Sequence, residues 1–354
     1  MKYTILYLED QTADTMVADF AIKNVELIVN KAKTEREAVE AMHQQDFDAY
    51  LMDYRLSQGK SFFDAPAFAA YLRTEHRHEK NSQKPIVMIT NEKWLKIVKN
   101  GGVGQNLFDM ILLKDDYNKK KDETTALILS YIEAYREIEK NNYKVENALD
   151  LTKAQVQEFL DSRLVKELTT AKEEKSIFKF LKQIHEHLFN NPGVLIDKNY
   201  LASRLGINIK TSGEEWDKLN SELSDSIYSG VLSDVYGRWW MPSIQSWWND
   251  ISKGKSLRRM EAEERVKLLN EKFALNLKAA TPIKECESSN FWVVCKALKE
   301  PLDPAEGYVC NNRYMMPWEE NEYISLIGAL EYTDYQKYLS EEDKREVRAY
   351  GKEK

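Results

Sequence analysis

Four short apolar runs in the first third of the chain each end at polar side chains that can bind a cation or a phosphoryl group. The runs are residues 3–8, 49–52, 85–89 and 110–113, and each has the length of a strand buried on both faces. The polar residues that follow them are Glu9 with Asp10, Asp53, Thr90 and Lys114. Because ligands bind at the carboxyl ends of the strands in an open parallel sheet, these side chains are predicted to meet at one edge.

Amphipathic stretches between the runs supply the connections that parallel strands need. Apolar residues recur at helical spacing in residues 34–44 and partly in 61–74, and further helices are predicted over 12–21, 91–99 and 124–139. This alternation of strands and helices predicts a doubly wound, five-stranded parallel sheet with helices on both faces.

Composition narrows the class of protein further. At 354 residues, the chain is predicted to form two or three domains. The net charge of −7 disfavours a broadly basic nucleic-acid surface, and three cysteines are too few for a disulfide framework. The start of the chain does not resemble a signal peptide, and no run approaches the roughly 20 apolar residues of a membrane span. We therefore expect a cytoplasmic protein without a membrane segment.

The spacing of the four motifs points to one family. The intervals are 43 residues from Asp10 to Asp53, 37 from there to Thr90 and 24 from there to Lys114. In this order, segments 5–10, 51–56, 86–90 and 111–114 resemble the receiver domain of two-component response regulators. The resemblance covers about residues 1–125 and implies a flavodoxin-like receiver fold.

The resemblance also implies a role for each residue of the predicted site. Asp53 would accept a phosphoryl group from a histidine kinase or another phosphodonor protein. The Mg²⁺ ligands would be Glu9, Asp10, Asp53 and the backbone carbonyl of Arg55. Thr90 would donate to a phosphoryl oxygen and Lys114 would pair with it, which supplies the charge neutralisation that phosphoryl transfer needs. The domain would be no enzyme beyond its own phosphorylation and dephosphorylation.

Three positions depart from the receiver pattern. Asn91 replaces the small residue that usually follows the Thr, and Asp115 replaces the Pro that usually follows the Lys. Ile111 stands where an aromatic residue normally couples movement of the Thr to the output face. The phosphorylation pocket is therefore predicted to be intact, while its readout is predicted to be altered.

No family resemblance guides the interpretation beyond residue 125. We predict a helical linker over 126–172, a helical, winged-helix-like unit over 173–250 and a mixed α/β region over 251–354, so that the C-terminal region is mostly α-helical. Within the second segment, helices are predicted over 175–189, over 200–205 between an Asp197 cap and Gly206, and over 212–231.

Charge on the third of these helices argues against DNA binding. The helix would carry one cation, Lys218, against five carboxylates, which are Glu214, Glu215, Asp217, Glu222 and Asp225. Phosphate contacts supply most of the affinity of DNA-binding proteins, and this face would repel them. A protein-binding or purely structural group of helices is favoured instead.

Other chemistry-bearing residues in this half favour structural roles. The aromatic residues of 236–248 are interpreted as core, with a partner-docking surface as the alternative. Cys286, Cys295 and Cys310 lack the paired spacing of a zinc site and are interpreted as free thiols. His185 and His187 point to different faces of a helix, and no catalytic constellation is visible in residues 140–354.

Three functions remain open on the sequence alone. The favoured one is a response-regulator-like signalling protein in which phosphorylation of Asp53 switches a C-terminal output that binds an unidentified protein. The second is an adaptor in a multi-protein complex, such as those of bacterial phage-defence operons, in which the receiver fold docks without phosphorylation. The third is an atypical transcription regulator. The oligomeric state is open, with a homodimer as one arrangement.

Overall fold

A five-stranded parallel sheet forms the centre of the N-terminal part of the chain. The computed structural model describes residues 2–9, 13–32, 34–56, 64–78, 83–91, 104–311 and 315–353. The strands are β1 (Tyr3–Leu8), β2 (Val25–Asn30), β3 (Ala49–Met52), β4 (Ile86–Thr90) and β5 (Met110–Leu113). Their order is β2-β1-β3-β4-β5, which is the order of flavodoxin-like folds, so the predicted fold class is confirmed.

Burial explains why four strands were readable in the sequence and the fifth was not. All residues of β3 and β4 are buried, as expected for central strands covered on both faces. The edge strand β2 buries only Val25 and Leu27, and the rest of it is partly or fully exposed. An edge strand with mixed exposure does not form a continuous apolar run, so β2 was absent from the predicted set.

Five helices surround this sheet in the N-terminal part of the chain that the structure describes. They are α1 (Asp14–Ile22), α2 (Glu35–Met42), α3 (Ala65–His78), α4 (Lys114–Lys119) and α5 (Lys121–Lys140). The predicted helices over 12–21, 34–44, 61–74 and 124–139 correspond to α1, α2, α3 and α5, with boundaries that differ by a few residues. The predicted helix over 91–99 lies outside the described residues except for Asn91.

Helix α5 is fixed to the amino end of β5 by a buried polar network. Tyr135 on α5 donates its hydroxyl to Asp109 Oδ1 at 2.6 Å, and Arg73 on α3 donates to Asp109 Oδ2 at 2.7 Å. The Arg73 guanidinium also lies over the ring of Phe178 at 3.9 Å. The network satisfies the charge of Asp109, which is 2 % exposed, and ties three elements together.

The chain divides into two compact units. Unit 1 comprises Met1–Lys153, Ser162–Gln183 and Gly230–Val235, and unit 2 comprises Ala154–Asp161, Ile184–Ser229 and Tyr236–Lys354. After α5, the chain continues with α6 (Val145–Leu149), α7 (Lys153–Phe159), α8 (Ser162–Glu173) and α9 (Ile177–Ile184). The predicted division at residues 125, 172 and 250 remains a prediction.

Unit 2 is mostly helical and contains short two-stranded ladders. Its helices are α10 (Lys198–Leu205), α11 (Ile209–Ser212), α12 (Glu214–Glu222), α13 (Met241–Ser252), α14 (Ala262–Phe273), α15 (Leu326–Glu331) and α16 (Glu341–Glu353). The antiparallel ladders pair β6 (Leu195–Ile196) with β7 (Trp239–Trp240), β8 (Val293–Val294) with β9 (Pro301–Leu302) and β10 (Gly307–Val309) with β11 (Tyr323–Ser325).

The predicted signals at the ends of α10 are confirmed. The Asp197 carboxylate accepts hydrogen bonds from the backbone N–H groups of Asn199 and Tyr200 at 2.8 and 2.9 Å. Gly206 ends the helix with a φ of +72°, and a Cβ at this position would lie 2.6 Å from the Cα of Ala262. Glycine is therefore required here both by the backbone conformation and by the close contact.

The predicted helix over 212–231 is wrong in length. Helix α12 ends at Glu222, and a 3₁₀ turn over Ser224–Ser226 follows it. Ser and Asp side chains compete for backbone hydrogen bonds and favour turns, so the Ser-Asp-Ser run ends the helix despite the apolar residues beyond it.

The core interpretation of the aromatic segment is confirmed for three tryptophans. Trp239, Trp240 and Trp248 are 7 %, 3 % and 0 % exposed. The indole N–H of Trp248 donates to the backbone carbonyl of Lys255 at 2.9 Å, which satisfies its one polar group. In the part of the chain that the structure describes, no helix is both long enough and apolar enough to span a membrane.

Candidate functional site

Strand register brings four of the predicted site residues to the carboxyl edge of the sheet. Glu9 follows β1, Asp53 follows β3, Thr90 ends β4 and Lys114 begins α4 directly after β5. The register pairs Leu8 with Met52, Met52 with Met88 and Thr90 with Leu113, so the four residues lie at nearly the same level. The convergence at one edge follows from parallel strands of similar length.

The Lys114 ammonium connects the two described carboxylates of this edge. Its Nζ lies 2.8 Å from Glu9 Oε2 and 3.3 Å from Asp53 Oδ2. Glu9 and Asp53 are 3 % and 8 % exposed, whereas the side chain of Lys114 keeps 32 % of its surface. Among the described residues, one ammonium therefore contacts two buried carboxylates, so the cluster has more carboxylates than cations.

Tyr7 is a member of this cluster that the sequence analysis did not identify. Its hydroxyl donates to Glu9 Oε2 at 2.6 Å, the same oxygen that accepts from Lys114. The side chain of Tyr7 is 1 % exposed, so the bond is shielded from water. Residues two apart in a strand point to the same face, and this spacing was the signal in the sequence that could have found it.

Burial shifts the pKa of both partners of the ion pair between Asp53 and Lys114. It raises the pKa of Asp53, and the Glu9 charge raises it further, while the Lys114 ammonium opposes both effects. For Lys114, burial lowers the pKa, but its contacts with Glu9 and Asp53 outweigh burial and the pKa is raised overall. Lys114 is therefore charged at neutral pH, and additional positive charge at the cluster would favour the ionised form of Asp53.

Two buried oxygens at this edge lack a partner among the described residues. They are Asp53 Oδ1 and Thr90 Oγ1. Buried polar atoms are satisfied in the great majority of cases, and an exception requires an explanation such as a ligand, an ion or a water molecule. The two atoms are one carboxylate acceptor and one hydroxyl that can donate, which fits a cation and an anionic oxygen respectively.

The described donors fit a hard divalent cation in type, but they form only part of a ligand set. Mg²⁺ prefers oxygen ligands, and Glu9 and Asp53 supply carboxylates. Asp10, the third predicted carboxylate, lies outside the described residues, and Arg55 forms an isolated antiparallel bridge with Asp64. Within residues 2–9, 13–32 and the other described ranges, no group of three or more His, Cys, Asp or Glu side chains is placed to hold a metal.

The three departures from the receiver pattern are all described. Asn91 is exposed directly after β4, and Asp115 is exposed in the first turn of α4. Ile111 is half-buried on β5 and packs against the core of the sheet. The altered readout stays a prediction.

The histidines of unit 2 have separate partners. His187 Nδ1 lies 2.7 Å from Glu319 Oε1, and His185 Nε2 lies 3.2 Å from the hydroxyl of Tyr236. The different partners agree with the prediction that the two rings point to different faces. Both rings belong to a π-helical turn over His185–Phe189 that extends α9, whose predicted range was 175–189.

The three cysteines are free, as predicted. Cys295 and Cys310 are buried and Cys286 is half-buried. Burial raises the pKa of Cys286 to about 11 and that of Cys310 to about 12. Both of these thiols are therefore protonated at neutral pH, which is the unreactive form.

Receiver domains and a sensor protein are among the solved structures that match the chain. A sensor protein from Polaromonas sp. JS666 shares 16 % identity at a TM-score of 0.30, over 38 % of this chain and 99 % of that chain. The signal receiver domain of an HD domain-containing protein from Pseudomonas fluorescens Pf-5 shares 16 % identity at a TM-score of 0.31, over 38 % and 93 %. The receiver domain of a sensor histidine kinase from Pseudomonas aeruginosa PAO1, with a magnesium ion coordinated in its active-site cleft, shares 21 % identity at 0.29, over 38 % and 99 %.

No protein-family model and no curated protein matches this chain. The matches to solved structures cover little more than a third of it, and the C-terminal half is without a recognised relative. The assignment of the fold rests on the strand order and the parallel register. On that ground, the N-terminal sheet with its helices has the flavodoxin-like topology of a receiver domain.

Proposed function

We propose that this chain is a response-regulator-like signalling protein that accepts a phosphoryl group on Asp53 and passes the change to a protein-binding output in its C-terminal half. The observation that carries the proposal is the buried Oδ1 of Asp53, which has no partner among the described residues and belongs to a carboxylate beside a charged Lys114. An acceptor oxygen without a hydrogen bond is available as a nucleophile, whereas Oδ2 is held by the ammonium.

The donor would be a phosphohistidine of a kinase or a small acyl phosphate. Asp53 Oδ1 attacks the phosphorus, the bond from phosphorus to the donor breaks, and the electron pair leaves with the donor group. Lys114 moves from the carboxylates to the new phosphoryl oxygens, and Thr90 donates its hydroxyl to another of them. Glu9 and Asp53, with Asp10, would hold Mg²⁺, which neutralises the oxygens of the transferred group when bound.

The product would shift the charge balance of the sheet edge. The acyl phosphate on Asp53 would carry about −1.5 to −2 charges in place of the single charge of the carboxylate, a net gain of about −0.5 to −1, and the described cluster already has more carboxylates than cations. Thr90 Oγ1, which has no partner among the described residues, would acquire one. Movement of Thr90 and Lys114 therefore provides two local displacements, on β4 and α4, that a neighbouring surface can sense.

The experiment is incubation of the full chain with acetyl phosphate and Mg²⁺, followed by measurement of the intact mass. We expect a gain of one phosphoryl group in the natural chain and none in Asp53→Asn. Asp115→Asn is the matched control, since this exposed acid on α4 follows Lys114 directly and is expected to leave labelling unchanged.

Two results would refute the proposal. One is labelling of Asp53→Asn at the rate of the natural chain. The other is no labelling of a folded natural chain by any phosphodonor with Mg²⁺, which would favour an adaptor that docks without phosphorylation.

A further inference from the structure

Two neighbouring cavities lie beside helix α10 in unit 2. The first has a volume of about 150 Å³ and the second about 360 Å³. Asn199 and Lys299 line both cavities, so the two share a wall. Their size and position suit one small molecule that extends from one cavity into the other.

The walls of these cavities concentrate positive charge in an acidic protein. The cations are Lys198, Lys210, Arg238, Lys296 and Lys299, and the carboxylates are Asp197, Glu300 and Glu322. The whole chain has the opposite balance, with a net charge of −7. The local excess of cations therefore selects for an anionic ligand.

Arg238 is the best-positioned of these cations. It donates to the backbone carbonyls of Gly237 and Phe189, each at 3.1 Å, and its Cζ lies 5.9 and 5.6 Å from the ring centroids of Phe189 and Tyr236, which stack on each other. It forms no ion pair among the described residues of either unit, and burial lowers its pKa. The guanidinium is thus held in place, and the Asp197 carboxylate acts on its charge only at a distance, without an ion pair.

The carboxylates of the first cavity are already engaged. Asp197 caps α10 by accepting from two backbone N–H groups, so the N-terminus of this helix contributes nothing to the site. Glu322 forms an ion pair with Lys296. Arg238 and Lys299 remain as cations without a salt bridge in the part of the chain that is described. An anion between them would complete the charge balance of the cavity.

The second cavity supplies an apolar floor. Its lining includes Ala202, Ile207, Ile209, Ala280 and Pro301. A ligand that fills both cavities would therefore have an anionic head and an apolar body.

The head is better matched by phosphate than by carboxylate. The planar fork of Arg238 can bind two oxygens at once, Lys299 can bind a third as a point charge, and the Asn199 amide on the shared wall can donate as well. A phosphate monoester has three terminal oxygens for these donors, whereas a carboxylate has two.

We propose that unit 2 binds a small phosphate monoester, with the phosphate between Arg238 and Lys299 and the apolar body on the floor of the second cavity. This site is separate from the proposed phosphorylation of Asp53 and does not depend on it.

Isothermal titration calorimetry on the full chain tests the proposal, with phenyl phosphate as the probe and phenol and inorganic phosphate as its two halves. EDTA is present throughout, so that no divalent cation recruits phosphate to the sheet edge of unit 1. We expect phenyl phosphate to bind at least about tenfold more tightly than either half, since only the whole molecule uses both cavities.

Variants assign the binding to this site. Arg238→Lys keeps the charge but loses the fork, and Lys299→Ala removes an exposed cation; each is expected to weaken binding about tenfold or less, as the loss of a charge-assisted hydrogen bond does. Lys267→Ala is the matched control, because Lys267 lies on α14 and lines neither cavity. Lys114→Met is expected to retain binding, which separates this site from unit 1.

The proposal is overturned if phenyl phosphate binds no more tightly than phenol, or if both Arg238→Lys and Lys299→Ala bind it as the natural chain does while circular dichroism shows them folded. Loss of binding in Lys114→Met alone, with circular dichroism showing this variant folded, would place the phosphate in unit 1 and would also overturn it. Each of these results leaves the mass-labelling experiment on Asp53 unaffected.

Discussion

Two clusters of buried charge, one in each unit, have different kinds of partner. At the sheet edge of unit 1, two buried carboxylates share one lysine, and a carboxylate oxygen has no partner among the described residues. In unit 2, the fully buried guanidinium of Arg265 donates from Nη1 to the backbone carbonyls of Arg204 and Phe291, at 2.9 and 2.8 Å. One cluster combines side chains of opposite charge, and the other joins a charge to the backbone.

The kind of partner decides whether a buried charge can move to a new ligand. An ammonium between carboxylates can move to a new anion, because each contact is replaceable. A guanidinium that donates to carbonyls of α10 and of the segment before β8 is a structural brace, because it satisfies buried backbone groups of two segments at once, although its Nε and Nη2 have no partner among the described residues. A buried charge therefore indicates function only when its partners can be exchanged.

The largest effect is expected from Arg265→Met. The substitution leaves buried backbone carbonyls without a donor, and we expect a loss of about 3 kcal/mol in the free energy of unfolding, measured by urea denaturation. Arg259→Met removes an exposed cation of the same unit and is expected to cost at most about 0.5 kcal/mol. Equal losses of unfolding free energy in the two variants would contradict the interpretation that Arg265 braces the backbone whereas Arg259 is only an exposed charge.

Lys114→Met is expected to cost about 2 kcal/mol at neutral pH in EDTA, because Glu9 and Asp53 remain buried with like charges. The loss is expected to shrink when Mg²⁺ is added and when acid protonates the carboxylates. Thermal unfolding with and without Mg²⁺ measures it. A loss of stability that is independent of both pH and Mg²⁺ would show that Lys114 acts by packing alone. The interpretation that the carboxylates of this cluster can exchange their partner would then be wrong.

Tyr7→Phe tests the contribution of one hydrogen bond within the cluster of unit 1. It removes one hydrogen bond to Glu9 Oε2 with almost no change in shape, and Lys114 still satisfies that oxygen. We expect a loss of about 1 kcal/mol in unfolding free energy and weaker binding of Mg²⁺, measured by calorimetry. Unchanged Mg²⁺ affinity in Tyr7→Phe would show that this hydroxyl does not position Glu9.

The smallest effect is the pH dependence of Asp53→Asn. Because burial raises the pKa of Asp53 above 3.8, the folded protein binds this proton more tightly than the unfolded chain does. The stability from Asp53 is present at low pH and is lost as the pH rises through the folded pKa. Asn does not ionise, so the natural chain should lose stability relative to the variant, by at most about 1 kcal/mol, as the pH rises above 3.8. Asp115→Asn should show no such pH dependence. If the natural chain gained stability relative to Asp53→Asn as the pH rises, the prediction would be wrong.

Much of unit 1 was predictable, and unit 2 was predictable only at its strongest local signals. Apolar runs revealed β1, β3, β4 and β5, because the central strands are covered on both faces and the four residues of the edge strand β5 are all apolar. Asp197 and Gly206 predicted both ends of α10, since a cap and a left-handed residue act locally. The end of α12 and the edge strand β2 were missed, because apolar spacing alone does not show where a turn or an exposed edge interrupts it.

The sequence by itself determined the order of the motifs, the parallel sheet that their alternation requires and the set of polar residues at its carboxyl edge. Only the tertiary structure decided that Tyr7 joins Glu9, that Lys114 contacts both acids and that Asp53 Oδ1 lacks a partner among the described residues. The reason is physical: hydrophobic periodicity is written along the chain, whereas the distances between side chains on different strands depend on register, twist and burial, which arise when the sheet is assembled.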